Sequence, residues 1–247
     1  EDGTVEGNFG DVEAMVGEGR LGNWFTVNNG FRPKLELARD SYTRLRILNA
    51  ANVRTMFLLF KGQDPLLIAR DGQPVKPGTL HGKALSLAPG ERADLLVIAS
   101  EGDITLALDL FEDVTEIGYL TAPKGSTRPP AMPENFALPP NPVSPLAASG
   151  AMRSVTLTLE GGIKGGLTAA MLNGQQRDLR TLLENGKGWA MNGVAGPAAE
   201  PLFAVKKGET IRLDIRNTTA FAQPLHIHGH AWQVIGQDPP APFQDTV

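Results

Sequence analysis

Apolar and polar residues alternate along much of this chain. Ile104, Leu106, Leu108 and Leu110 recur at every second position, as do Val155, Leu157 and Leu159, and again Ile211, Leu213 and Ile215. A period of two puts such side chains on one face of an extended strand and the residues between them on the other. Gly, Pro and Asn separate the runs, which predicts short strands packed as a sandwich or barrel. One segment departs from this period. Arg177–Gly188 spaces Leu179, Leu182 and Leu183 at helical intervals and carries Gly186 as a stop, so a short helix or turn is expected there.

Residues 122–150, APKGSTRPPAMPENFALPPNPVSPLAASG, hold eight prolines. Proline removes a backbone donor and fixes φ, so this stretch fits neither a central strand nor a long helix. It reads as an extended connector. The expected organisation is a domain over 1–122, a linker over 123–153 and a partial domain over 154–247.

The two flanking parts look alike. At an offset of 168 residues (212 minus 44), RLRILN from Arg44 falls on RLDIRN from Arg212, with Arg44/Arg212, Leu45/Leu213, Ile47/Ile215 and Asn49/Asn217 identical. VNNG precedes the first copy and AMNG the second. In this register Leu58 falls on His226 and Phe60 on His228. A repeated β-domain follows, in which the first copy carries apolar side chains where the second carries imidazoles.

Composition narrows the picture further. The chain has 247 residues, 41% of them hydrophobic and 20% charged, which is enough for a packed core and excludes wholesale disorder. A net charge of −4 without a long basic run argues against nucleic acid as a partner. There are no cysteines, so this chain builds neither a disulfide framework nor a thiolate metal site by itself. No apolar run approaches the roughly 18 residues of a membrane span. The opening EDGTVEGNFGDVEAMV begins without Met and lacks a signal peptide's charged and apolar regions, as expected of a mature or excised soluble chain. The six methionines are scattered and read as core or loop residues. Asp71 in ARDGQPV reads as a turn residue, and His81 in PGTLHGKAL as a loop histidine.

The chemistry concentrates in AFAQPLHIHGHAWQVIG, Ala220–Gly236, which holds His226, His228 and His230, three of the four histidines. On a strand His226 and His228 share a face, with Leu225 and Ile227 turned to the core. Imidazole is the commonest metal ligand and suits copper, zinc, iron and nickel. Two imidazoles at i and i+2 serve one metal together or two neighbouring metals separately. Beyond Gly229 the apolar residues Trp232 and Val234 change phase, which predicts a kink there and removes His230 from the shared face. The competing reading is a solvated polar face of an edge strand. A cupin would add a downstream Glu and a later His. An amidohydrolase would show α/β alternation. Neither pattern occurs here.

The wider segment MNG…PLFAVKKGETIRLDIRNTTAFAQPLHIHGHAWQVIG resembles the opening of the third cupredoxin domain of three-domain multicopper oxidases, the laccase and bacterial cuprous-oxidase group. TVNNGFRPKLELARDSYTRLRILNAANVRTMFLLF, DGQPV and LAPGERADLLV resemble, in order, pieces of that family's second domain. The resemblance runs from about Leu21 to Val247. It implies an all-β chain of two cupredoxin-like Greek-key sandwich or barrel domains, the second incomplete, and a copper cofactor. It makes His226 a ligand of the type 2 copper and His228 a ligand of the type 3 pair, with no catalytic residues beyond metal ligands. His230 matches a position that is usually not a ligand. The position before Pro224 is a type 1 copper histidine in the family and is Gln223 here. The family's first domain and the C-terminal segment with the type 1 cysteine are missing, and they are the expected partners from the same protein. The implied function is one-electron oxidation of a small reductant, a phenol or a metal ion, coupled to reduction of O₂ to water, in the periplasm or outside the cell. The alternative is a non-catalytic relative that keeps the fold as a scaffold, for example in bacterial cell division. A blue type 1 site requires a thiolate and two imidazoles. The 247-residue chain, free of other proteins and titrated with Cu(II), is therefore expected to show no strong blue absorption and no turnover of a phenolic dye; turnover would contradict this.

Overall fold

The computed structural model describes residues 7, 10–99, 102–143, 146, 152–237 and 241–247. Those residues form two compact units. One comprises the described parts of Glu1–Leu21 and Val143–Gln223, the other Gly22–Pro142 and Pro224–Val247. Each unit is discontinuous in sequence, unlike the expected 1–122 and 154–247.

The larger unit, Gly22–Pro142 with Pro224–Val247, is an open sandwich of two sheets. One sheet runs β1 (Lys34–Glu36), β9 (Val114–Thr121), β8 (Ile104–Asp109), β3 (Met56–Lys61), β6 (Leu85–Leu87). The other runs β2 (Tyr42–Leu48), β7 (Arg92–Ile98), β4 (Leu66–Arg70), β5 (Gln73–Thr79). The alternation of Ile104, Leu106 and Leu108 puts all three in the buried core, where they meet Leu58, Leu85, Leu87, Leu95 and Val97. Partly buried Leu45 and Ile47 of β2 pack on the same cluster. Sheets stay open here, so the architecture is a sandwich and not a closed barrel. Residues 123–143 form neither strand nor helix, as their prolines require. They lie along this unit: the Arg39 guanidinium donates to Gly125 O at 3.0 Å, and Asn141 Nδ2 to Gly72 O at 2.8 Å. Positions 144, 145 and 147–151 of the expected linker lie outside the described residues.

The smaller unit carries the sheet β13 (Trp189–Met191), β10 (Arg153–Gly161), β14 (Ile211–Asn217), and the hairpin β11 (Ala169–Leu172), β12 (Gln175–Asp178). Helix α2, Leu179–Glu184, falls inside the segment read as helical; Asp178 caps it by accepting from Thr181 N, and buried Leu182 anchors it. A second short helix, α1 at Val12–Val16, starts at Asp11, whose carboxylate accepts from Glu13 N at 3.1 Å. The Trp189 indole donates to Met15 O at 2.6 Å. The hydrophobic pattern of the opening segment did not predict this helix.

The two asparagines aligned by the sequence offset share a pattern of local bonding. Strand β2 leads into Asn49 and strand β14 ends in Asn217. Asn49 Oδ1 accepts from Ala51 N and Nδ2 donates to Arg54 O; Asn217 Oδ1 accepts from Thr219 N and Nδ2 donates to Phe221 O. Both are Asx turns that end a strand. Asn49 is 4% exposed and also donates to Leu87 O at 2.8 Å, so removing it strands buried carbonyls. Asn49→Ala is expected to lower stability by about 1–3 kcal/mol. Asn217→Ala, at an exposed position, is expected to cost about 0.5 kcal/mol or less. Urea denaturation of the two variants checks the ranking.

Candidate functional site

The histidine segment belongs to the larger unit, and a short antiparallel pairing places it there. Leu225 and Val247 exchange backbone hydrogen bonds of 2.7 and 2.9 Å, and His226 bridges Thr246. Further on, Trp232 and Gln244 exchange bonds of 2.6 and 3.0 Å. Six steps from 226 to 232 thus oppose two steps from 246 to 244, and the four extra residues leave the ladder as a loop. Inside it, His230 N donates to Ile227 O at 3.2 Å, and Gly229 takes a φ of +75°, which glycine adopts without steric cost. The kink expected at Gly229 is present. The expectation that His226 and His228 share a regular strand is corrected: His226 sits in an isolated bridge and His228 in the turn. The inside–outside alternation nevertheless survives, with Leu225 and Ile227 half-buried and all three histidines exposed.

The rings of His226 and His228 come together, with centroids 5.9 Å apart and planes at 83°. His226 Nδ1 lies 2.9 Å from Asp245 O. His230 Nδ1 lies 3.1 Å from His228 O. Gln223 is half-buried, immediately before Pro224. His81 is placed elsewhere, in the turn after β5, where its backbone N donates to Asp64 Oδ2 at 2.9 Å and its φ is +55°. Among the described residues no group of three or more His, Asp or Glu side chains converges as a metal site. Two imidazoles are a partial donor set, so these residues do not by themselves build a copper centre. Nor does any helix among the described residues have the length and apolarity to cross a membrane.

A carboxylate network fixes the segment opposite the histidines. Asp71 and Gly72 are the two turn residues between β4 and β5, with φ of +48° and +75°, the geometry that makes Asp-Gly a strong hairpin signal. The turn reading of Asp71 describes its backbone. Its side chain, in a residue only 6% exposed, does more. Oδ1 accepts from Arg92 N at 2.9 Å, and Oδ2 accepts from Asp245 N at 3.2 Å and Thr246 N at 3.1 Å. Arg92 in turn holds the Asp245 carboxylate with both terminal nitrogens, Nη1 donating to Oδ1 at 2.6 Å. Arg92 and Asp245 were not singled out from the sequence. The Asp-Gly dipeptide marks the hairpin, but nothing in DGQPV or FQDTV signals that the two stretches meet.

Comparison with known proteins shows what the fold is similar to. A family profile described as multicopper oxidase matches residues 171–246. The crystal structure of a multi-copper oxidase from Pseudomonas thermotolerans is similar with a TM-score of 0.68 and 27% identity, covering 95% of this chain and 52% of that one. Residues 171–246 thus match the multicopper oxidase profile, and the chain as a whole is similar to multicopper oxidases built of cupredoxin-like sandwich domains. Among curated relatives, the cell division protein FtsP of Escherichia coli K12 is 40% identical over 98 residues, 39% of this chain and 21% of that protein. FtsP of Xenorhabdus nematophila is 28% identical over 247 residues, 92% of this chain and 46% of that protein. The chain thus spans about half the length, or less, of the relatives it matches.

The Arg92 guanidinium holds the Asp245 carboxyl below the usual carboxylate range; the Thr246 hydroxyl and His226 act in the same direction, against partial burial. A carboxyl with a depressed folded pKa contributes stability above its unfolded value of about 4, and loses it as pH falls through the folded value. Wild type is therefore expected to exceed Asp245→Asn in stability at pH 6, and the gap should close below about pH 4. Urea midpoints of both proteins between pH 7 and pH 2.5 measure it.

Proposed function

We propose that the parent protein is a non-catalytic cupredoxin-fold protein of the bacterial periplasm that serves cell division as a binding scaffold. One observation carries this reading: Gln223 stands where the family resemblance calls for a type 1 copper imidazole. An amide oxygen is a harder and weaker copper ligand than imidazole nitrogen, and it serves blue sites only as a long axial contact. Without a filled type 1 site, electrons from a reductant have no entry. The relatives named as cell division proteins support the same reading. In it, residues 1–122 and 154–247 are the second and third cupredoxin domains, and the partners are division proteins.

A second reading is favoured by His226. Its Nδ1 is engaged by a backbone carbonyl, the arrangement that orients metal-bound histidines elsewhere. On this reading His226 and His228 are the type 2 and type 3 copper ligands of an oxidase, and copper supplies the transfer of electrons from a phenol or metal-ion reductant to O₂.

The full-length parent decides between them. The scaffold reading expects purified parent loaded with Cu(II) to be colourless and to leave a phenolic dye unoxidised, while deletion of its gene produces a division defect that the copper-free protein corrects. An intensely blue, active parent would overturn it. Gln223→His adds a check: a blue band and an oxidase rate that rise together would indicate an otherwise complete copper pathway.

A further inference from the structure

We propose that Asp71 and Arg92 are positioning residues for the His226 imidazole: through Asp245 they orient the ring so that Nδ1 carries a proton donated to the Asp245 carbonyl and Nε2 is directed away from the network. This holds under both functional readings, because it concerns hydrogen bonds within the chain and requires no metal.

The chain of contacts is short. Everything near His226 Nδ1 accepts: Asp245 O at 2.9 Å, Asp245 Oδ1 at 3.4 Å, and Thr246 Oγ1 at 3.5 Å, whose own hydrogen is given to Asp245 Oδ1 at 3.1 Å. A carbonyl oxygen has no proton to give, so Nδ1 must be the donor. The same carbonyl receives the Trp232 indole N–H at 3.0 Å, a group that only donates. Asp245 O is therefore held between two side chains of the histidine segment. Its own position is set from below. Asp71 Oδ2 takes the N–H groups of Asp245 and Thr246, Asp71 Oδ1 takes the N–H of Arg92, and Arg92 forks the Asp245 carboxylate. A bidentate arginine fixes direction as well as distance. Displacing Asp71 or Arg92 moves the carbonyl on which the Nδ1 proton depends. Among the described residues no comparable chain of contacts reaches the His228 ring, which serves as the internal control; its backbone oxygen instead receives His230 Nδ1.

The test reads tautomers directly. The 247-residue chain is labelled with ¹⁵N-histidine, and long-range ¹H–¹⁵N correlations are recorded at pH 8, where imidazole is largely neutral. The four histidines are assigned by single His→Gln changes. In wild type, His226 is expected to show a protonated Nδ1 and an unprotonated, pyridine-like Nε2. Asp71→Asn preserves the left-handed turn, since Asn tolerates positive φ, but faces an NH₂ group toward backbone donors. It is expected to convert His226 mainly to the Nε2–H form while His81 and His228 keep their wild-type signals. Arg92→Lys, which retains charge but loses the fork, should shift His226 in the same direction by a smaller amount, and decides the matter if Asp71→Asn fails to fold. A wild-type His226 protonated on Nε2 would overturn the proposal, as would an unchanged tautomer in folded Asp71→Asn and Arg92→Lys, or an equal shift at His228.

Discussion

The buried carboxylate of Asp71 is the constraint on which the arrangement of the histidine segment depends. A carboxylate withdrawn from water is costly unless its oxygens are filled with donors. Asp71 meets that demand with three backbone N–H groups, from Arg92, Asp245 and Thr246, and with the Arg92 guanidinium 3.3 Å away. The residue that closes the β4–β5 hairpin thus also receives the start of β7 and the tail. Thr246, only 1% exposed, shows how fully the tail is embedded. Losing any one donor leaves this buried charge a partner short, which costs more than the loss of a surface ion pair.

This anchoring explains why the compact units do not follow the sequence repeat. A strand pairs where its register and hydrophobic face direct it, and β14 pairs in parallel with β10, within the smaller unit. Past Gln223 the chain no longer belongs to that unit, because Leu225 bonds Val247 and the tail bonds Asp71. His226 therefore owes its place to a side chain 174 residues before Asp245, not to the strand that leads into it. The loop with His228 and His230 is what remains when two short pairings of unequal length are joined.

Elements set by local pattern were legible in the sequence. The period-two runs at Ile104, Val155 and Ile211 became β8, β10 and β14, the leucine spacing near Leu179 became α2, and Asp71–Gly72 became a hairpin turn. Helix α1 escaped because five residues are too few to show a helical period, although its cap, Asp11, is an ordinary one. The extended reading of His226–His228 failed for a different reason. Alternation specifies faces, and the faces came out as read, but regular pairing needs a partner of equal length. Here the six steps from His226 to Trp232 oppose only two from Thr246 to Gln244, so His228 leaves the ladder. Long-range pairs such as Asp71 with Thr246 leave no trace in composition or spacing, since each residue is unremarkable among its sequence neighbours.

His226 and Gln223 consequently carry unequal weight in judging function. The Nδ1–H of His226 already satisfies a backbone carbonyl, and the residue contributes to a hydrogen-bonded support whether or not a metal is near. Its presence is explained by protein contacts alone. Gln223 differs. On the proposed scaffold reading, the family's imidazole at that position would serve copper, and the half-buried Gln223 would supply no such donor. A protein under demand for electron transfer would retain the donor that serves only the metal. One under demand for a stable sandwich would retain the histidine that holds the tail and tolerate the loss at Gln223. On the scaffold reading proposed above, His226 and Gln223 would follow the second pattern.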